Sequence, residues 1–312
     1  MNINLKENAS KYKSLIGLVL LCVVITFVAP TFLTLSNITN VFTQVSVNAI
    51  IAVGMTFVIL TGGIDLSVGS TLAISGALAA SIIKSTGNIY LALIASSVVG
   101  IGIGLINGLL ISKGKIQAFI ATLATMTIFR GVTLVYTNGT PISKLPDSFV
   151  MLGNAKVGFL PVPVIITIIV AAIAIYVLSQ TKLGRYIYAL GGNEDSARLS
   201  GINTTKIKTL VYVVSGFASS VAGVIIASRI GSASPNAGIG FELDAIAAVV
   251  IGGTSLAGGE GRISGTLIGA LIIGVLNNGL NLMNVSPFYQ SIVKGLVILV
   301  AVLLDKKSRK KA

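Results

Sequence analysis

Few side chains in this sequence could do chemistry, and most of them are amides and carboxylates set in apolar surroundings. Asn277, Asn281 and Asn284 recur at i, i+4 and i+7, which puts them on one helix face. An amide both donates and accepts hydrogen bonds. Such a stripe suits the hydroxyls of a polar solute or, equally, bonds to a neighbouring helix. Gln44 and Asn48 form a smaller counterpart. Asp65 stands in GMTFVILTGGIDLSVGS, Gly54–Ser70, where Gly62 and Gly63 end one helix and Asp65 or Ser67 can cap the next. Backbone broken at membrane depth needs protein or a water-filled cavity around it, so Asp65 either touches a polar path or serves as a plain cap. Arg130 lies deep in an apolar run and must face protein or water, paired with a carboxylate such as Asp65 or Asp244, or reaching outward. Glu242 and Asp244 fall in the first turn of GFELDAIAAVV. Carboxylates there complement a helix dipole; at an outer mouth they would also meet a polyhydroxylated solute or a docking protein.

What is missing narrows the classes. There is no His, no Trp and one Cys, Cys22. One thiol excludes an internal disulfide and a cysteine zinc site. Without His there is no His-based triad, no His metal ligand and no switch near neutral pH. No GxxxxGK[ST] occurs, so the chain has no P-loop with which to hydrolyse ATP itself. The expectation is a non-catalytic chain without a cofactor.

The elements that must hold these residues are membrane helices. Of 312 residues, 54% are apolar and 10% charged, against about 25% charged in soluble domains. The fold class is all-α, a polytopic membrane protein. Apolar windows long enough to cross about 30 Å of hydrocarbon fall at 14–34, 42–61, 67–84, 89–112, 117–137, 161–180, 209–230, 242–258, 263–284 and 287–304, about ten spans. Lys6, Lys11 and Lys13 ahead of the first window resemble a signal peptide, but no small-x-small cleavage site follows, so it reads as a retained span. With the N-terminus inside, sixteen of the 22 Lys and Arg lie in interior segments and four outside. The positive-inside rule then puts residues 1–13, the connection 181–208 and the basic tail 305–312 in the cytoplasm. The formal charge of +13 thus punctuates spans and does not mark a nucleic-acid interface. No linker divides the chain, which reads as one transmembrane domain, 1–312.

The connection TKLGRYIYALGGNEDSARLSGINTTKIK, 181–208, carries seven charges between two spans. Asn193 can cap a short helix with Glu194 and Asp195 in its first turn, Arg198 further on and Gly201 as the stop. Two turns are not stable alone. Such a helix either docks in a groove on another protein or lies on lipid, where its acids would be repelled by anionic headgroups.

Glycine, at 35 copies, is partly regular: Gly100, Gly104 and Gly108 step by four, as do Gly265 and Gly269. Small residues so spaced let helices approach closely in lipid, at a subunit seam or inside one subunit. A faint echo repeats Gly62-Gly63, Leu66 and Gly69 as Gly252-Gly253, Leu256 and Gly259, offset by 190 residues. Transporters often derive from duplicated halves.

Four long phrases, Val47–Ser70, Lys115–Gly139, Leu183–Lys208 and Phe241–Met283, resemble the ribose and monosaccharide branch of the inner-membrane permeases of ATP-binding-cassette importers. The likeness covers nearly the whole chain and is weakest in the outer loop, about 138–160, and the lysine-rich tail. It implies an importer permease fold, a homodimer with a second permease copy, a cytoplasmic double-cassette ATPase, an extracytoplasmic sugar-binding protein and a surrounding lipid bilayer. It implies ATPase coupling through Gly184, Arg185, Asn193, Glu194, Asp195, Arg198 and Gly201. Pore-lining residues stay unassigned by the likeness, so Asp65, Arg130, Asn277, Asn281 and Asn284 rest on the physical reading alone. The competing expectation is a secondary sugar transporter driven by an ion gradient. It would want buried acids in its spans, and Asp65, Glu242 and Asp244 all sit near span ends. An intramembrane enzyme would lack both His and a paired-carboxylate motif.

Overall fold

The structure, a computed structural model, describes residues 13–309. Most of the cytoplasmic assignment made for 1–13, and the end of the basic tail, lie outside the described residues. The helices are α1 Lys13–Val28, α2 Leu35–Leu60, α3 Val68–Thr86, α4 Ile89–Ser112, α5 Ala118–Tyr136, α6 Asp147–Asn154, α7 Val162–Gln180, α8 Lys182–Gly192, α9 Glu194–Leu199, α10 Thr204–Ile230, α11 Phe241–Ile251, α12 Ile263–Leu282 and α13 Pro287–Arg309. Two small antiparallel pairs join loops: Ile142–Ser143 (β1) with Ser232–Ala233 (β4), and Lys156–Val157 (β2) with Leu160–Pro161 (β3).

Among the described residues seven helices, α2, α3, α4, α5, α7, α10 and α12, are long and apolar enough to cross a membrane. The window 14–34 becomes the shorter α1, ending before Pro30. The window 242–258 becomes α11, only eleven residues long, because the chain turns at Gly252 and Gly253, the latter at φ +89°. Eleven residues rise about 16 Å, half a bilayer core. The window 287–304 lies in α13, whose apolar stretch is 287–300.

Helices α2 and α10 form the centre. From Val45 to Leu60 nearly every residue of α2 is buried, and α10 packs on α2, α3 and α4. By contrast α4, α5 and α7 expose apolar side chains such as Ile94, Val98, Ile128, Val132, Ile169 and Ile173, which suits lipid, as apolar as they are. The glycine rows explain the closest approach. A Cβ on Gly100, Gly104 or Gly108 would strike Gly216, Tyr212 or Thr209 of α10, and one on Gly265 or Gly269 would strike Gly252 or Ala248. Both rows are therefore filled by helices of the same chain. Side chains of any size would push α4 off α10, whose small residues Gly216 and Ser220 face Gly100.

Candidate functional site

The charged connection projects from one end of the helices. Thr181 caps α8 by accepting from Gly184 N at 3.3 Å. Gly184 is buried where a Cβ would meet the Leu178 carbonyl, so the chain can fold back sharply after α7. Asn193 then starts α9, its Oδ1 accepting from Ser196 N at 2.8 Å. Ala197 is the buried residue of this helix, while Arg198 and Leu199 face outward. Gly201 takes φ +83°, a left-handed stop that glycine adopts without a Cβ clash, and Asn203 caps α10 through Lys206 N at 2.9 Å. The acids have partners on the spot: Arg198 bonds Asp195 at 2.8 Å and Lys208 bonds Glu194 at 2.5 Å. Arg185 is exposed. Leu199, an apolar side chain at the tip, is 85% exposed. A six-residue helix capped at both ends and tied to α10 by an ion pair is a stiff projection whose free face is part charged, part apolar.

Tyr188 of α8 turns inward, its hydroxyl donating to Gly261 O at 2.9 Å. Burial pushes its pKa above the usual tyrosine value, against a smaller opposing pull from Arg262. The hydroxyl therefore stays protonated, and able to donate, across the physiological range.

Asp65 lies in the break between α2 and α3, 1% exposed. Oδ1 accepts from Ser67 N (3.0 Å) and Ser67 Oγ (2.6 Å), and Oδ2 from Ser215 Oγ (2.7 Å). Asn107 Nδ2 donates to Ser67 Oγ at 2.8 Å, and Thr125 Oγ1 to Asn107 Oδ1 at 2.8 Å. One carboxylate thus anchors a buried chain of bonds joining the break to α4, α5 and α10. Asp65 folds back on Ser67 without standing as the N-cap residue itself; that position is Ser67, whose side chain makes no cap bond.

The sequence offered Arg130 a carboxylate partner, Asp65 or Asp244. Its Nη1 donates instead to two backbone carbonyls, Pro235 O at 2.6 Å and Ala237 O at 2.8 Å. The turns between β4 and α11 leave those carbonyls unpaired in helix or sheet, and a guanidinium satisfies both. Glu242 curls back on its own helix start, Oε1 accepting from Gly240 N at 3.2 Å. Asp244 is buried against α13, where Lys294 Nζ bonds it at 3.0 Å. Neither acid projects freely.

The asparagine stripe does not persist as one face. Asn277 and Asn281 lie on α12, but the helix ends at Leu282 and Asn284 sits beyond it at φ +55°, a left-handed conformation that Asn tolerates better than most residues. Asn281 Oδ1 accepts from Gln290 at 2.8 Å. Among the described residues Asn277 Oδ1 is buried without a hydrogen-bond partner, as is Asn48 Oδ1, while Gln44 donates to Asn40 at 3.0 Å. Among the described residues, no three His, Cys, Asp or Glu side chains gather to hold a metal ion.

A family model described as the branched-chain amino acid transport system / permease component matches residues 37–302. The chain belongs to this permease family. It is 56% identical over 297 residues to the ribose import permease protein of Haemophilus influenzae, covering 94% of this chain and 92% of that one. To the ribose import permease protein of Bacillus subtilis it is 54% identical, covering 94% and 91%. To the D-allose transport system permease protein of Escherichia coli it is 46% identical, covering 88% and 85%. No solved structure matches.

Several polar residues of this permease gave little warning in sequence. Asn37 and Asn278 exchange amide hydrogen bonds at 3.0 and 2.9 Å, pinning the start of α2 to α12. Asn278 neighbours the conspicuous Asn277 but faces another way. Lys294 lies inside the window 287–304, and its partner Asp244 is 50 residues away in sequence. Ser215 and Asn107 each look like one more small or polar residue in a tolerant helix.

Proposed function

We propose that this permease forms the membrane path of an ATP-driven importer for ribose. The observation that carries the reading is the 54–56% identity to ribose import permeases over more than nine-tenths of both chains. At 46% and 39%, the likeness to permeases for D-allose and L-arabinose is weaker. In this reading the chain is one transmembrane domain crossing the bilayer about ten times, with both termini cytoplasmic: α1 and α13 add to the seven long helices, and the turns 234–240, which pack on Gly69, together with the half-length α11 make the remaining crossing. Two copies would flank the sugar path, fed by an extracytoplasmic sugar-binding protein. With no P-loop in its own sequence, the chain would take its energy from a separate cytoplasmic ATPase.

The coupling segment in this reading is Gly184–Ile202, with Asn193–Ser200 as the helix that enters the ATPase. Support comes from the rigidity of α9: a helix capped by Asn193, stopped by Gly201 and braced to α10 by Glu194 and Lys208 can transmit a push. Asn277 is the better path candidate, because among the described residues its Oδ1 has no hydrogen-bond partner, whereas Asn281 already accepts from Gln290. Asp65 and Arg130, which bond to protein, are better cast as braces of that path, and Glu242 and Asp244, at the start of the half-length α11, as braces part-way along it.

The test is uptake of labelled ribose into proteoliposomes holding the permease, its ATPase and its binding protein, with allose and arabinose as competitors. Uptake that requires ATP and is inhibited most by unlabelled ribose is expected. Gradient-sensitive uptake persisting without the ATPase would favour the secondary-transporter mechanism and overturn the importer reading.

A further inference from the structure

The two segments that echo each other at an offset of 190 residues touch, and they touch at the coupling segment. Gly259 N donates to Leu60 O at 2.9 Å, which ties the 252–262 turn to the last turn of α2. A Cβ on Gly258 would lie 2.8 Å from Gly62 N and 3.0 Å from Gly191 O. On Gly191 it would collide with Leu60 O and Gly259 N, and on Gly259 it would lie 3.0 Å from Gly192 Cα. Three backbones, from the α2–α3 break, the α11–α12 turn and the end of α8, are thus in direct contact with no side chain between them. Gly259 and Gly258 sit at φ +76° and +87°, and Gly62 at +77°, so glycine is required there on conformational grounds as well. Tyr188 reaches the same turn through its bond to Gly261 O.

Contacts between rigid backbones transmit displacement without the slack of side-chain rotamers, because a close-packed interior is stiff. Just beyond on one side lie Asp65 and Ser215; on the other α12 begins, carrying its amides Asn277, Asn278 and Asn281 more than about 20 Å further along the helix. Resting on the importer reading, we propose that Tyr188 and Gly191 are positioning residues that carry movement of the coupling segment into both broken segments at once. The covalent connection through α10 alone would move the Asp65 side and leave the α11–α12 turn behind. Tyr188 and Gly191 make the two move together.

The experiment uses the complete importer in proteoliposomes, measuring ribose taken up and ATP hydrolysed in the same sample. Tyr188→Phe keeps the packed ring and removes only the hydroxyl; Gly191→Ala wedges the backbones apart. Tyr188→Phe is expected to assemble with the ATPase and hydrolyse ATP within about twofold of the unmodified importer; Gly191→Ala, whose Cβ meets the backbone of Leu60 and Gly259, is expected to lower the yield and is compared per assembled complex. Ribose moved per ATP should fall about fivefold for Tyr188→Phe, the size of one net hydrogen bond, and further for Gly191→Ala. An unchanged ribose-to-ATP ratio in Tyr188→Phe would overturn the proposal, as would uptake and hydrolysis falling in parallel, since that is the mark of a merely structural contact. If the unmodified importer shows no ATP-dependent uptake, the importer reading fails and takes this inference with it.

Discussion

Replacing Asp65 separates a structural carboxylate from one that carries charge along a path. The carboxylate accepts three hydrogen bonds at 2.6–3.0 Å, from Ser67 N, Ser67 Oγ and Ser215 Oγ. In Asp65→Ala all three donors lose their acceptor. The two hydroxyls can rotate, Ser215 towards the carbonyl one turn before it, but the Ser67 backbone N–H is fixed. An unsatisfied buried donor costs about 1–3 kcal/mol, and the small cavity adds to it. Charge-assisted bonds contribute about 1.5–3 kcal/mol each, partly offset because a buried charge no longer has to be desolvated. The net loss comes to about 3 kcal/mol. Asp65→Asn has nearly the same shape: its oxygen can accept from Ser67, its NH₂ can donate to Ser215, and the loss should stay near 1 kcal/mol. Thermal unfolding of purified protein in detergent should show the Ala variant melting several degrees below the Asn variant, at about 2–4 °C per kcal/mol for a chain of 150–250 residues and less for this longer one. Ribose uptake by Asp65→Asn should stay within about threefold of normal. Loss of uptake in Asp65→Asn with unchanged melting would refute the reasoning, because the negative charge itself would then be needed.

Other outcomes follow from the same geometry. Reversing both acids of α9, Glu194→Lys with Asp195→Lys, should leave membrane insertion unchanged while uptake and sugar-stimulated ATP hydrolysis fall at least tenfold; co-purification with the ATPase and an uptake assay check this. Gly104→Val drives a side chain into the Tyr212 carbonyl and Val213 backbone. Overpacking of this kind costs about 1–3 kcal/mol or more, so yield of folded protein should drop sharply in size-exclusion profiles, whereas Gly102→Val, with open space around it, should be tolerated. Lys294→Ala leaves the buried Asp244 carboxylate without its cation; with the Lys294 side chain 31% exposed, the loss should fall below the figure of about 3–5 kcal/mol for a fully buried pair. Adding Asp244→Ala should recover much of the lost melting temperature, and a double variant as unstable as the sum of the singles would count against the pair.

Legibility in the sequence followed the range of the interaction. Composition over some twenty residues is a local signal, so the windows around α2, α3, α4, α5, α7, α10 and α12 coincide with helices of spanning length. Capping is equally local: Asn193, three residues before Ser196, and Gly201 just past the last turn bound α9. Hydropathy averages pass over glycine, however, and so the run 242–258 reads as continuous although Gly252 and Gly253 turn the chain inside it. The stripe ending at Asn284 fails for a related reason: periodicity presumes that the helix continues. Partners across the sequence leave no trace in a single chain. Nothing near Arg130 points to the carbonyls of Pro235 and Ala237, and nothing near Gly100 says whether its neighbour belongs to the same subunit.

Asp65 and Ser215 are separated by 150 residues of sequence. At about 5–20 residues per second of synthesis, the carboxylate exists for roughly 8–30 s before the serine that holds it has been made. During that interval α2 and α3 stand in or near the bilayer with their break lacking the α10 side of its hydrogen bonds, and the small residues of α10 that face α4 are also missing. The nascent chain must therefore keep water, or an accessory protein, at that break until α10 arrives. Late emergence of a central helix makes the order of insertion part of how this permease comes to hold its buried carboxyl group.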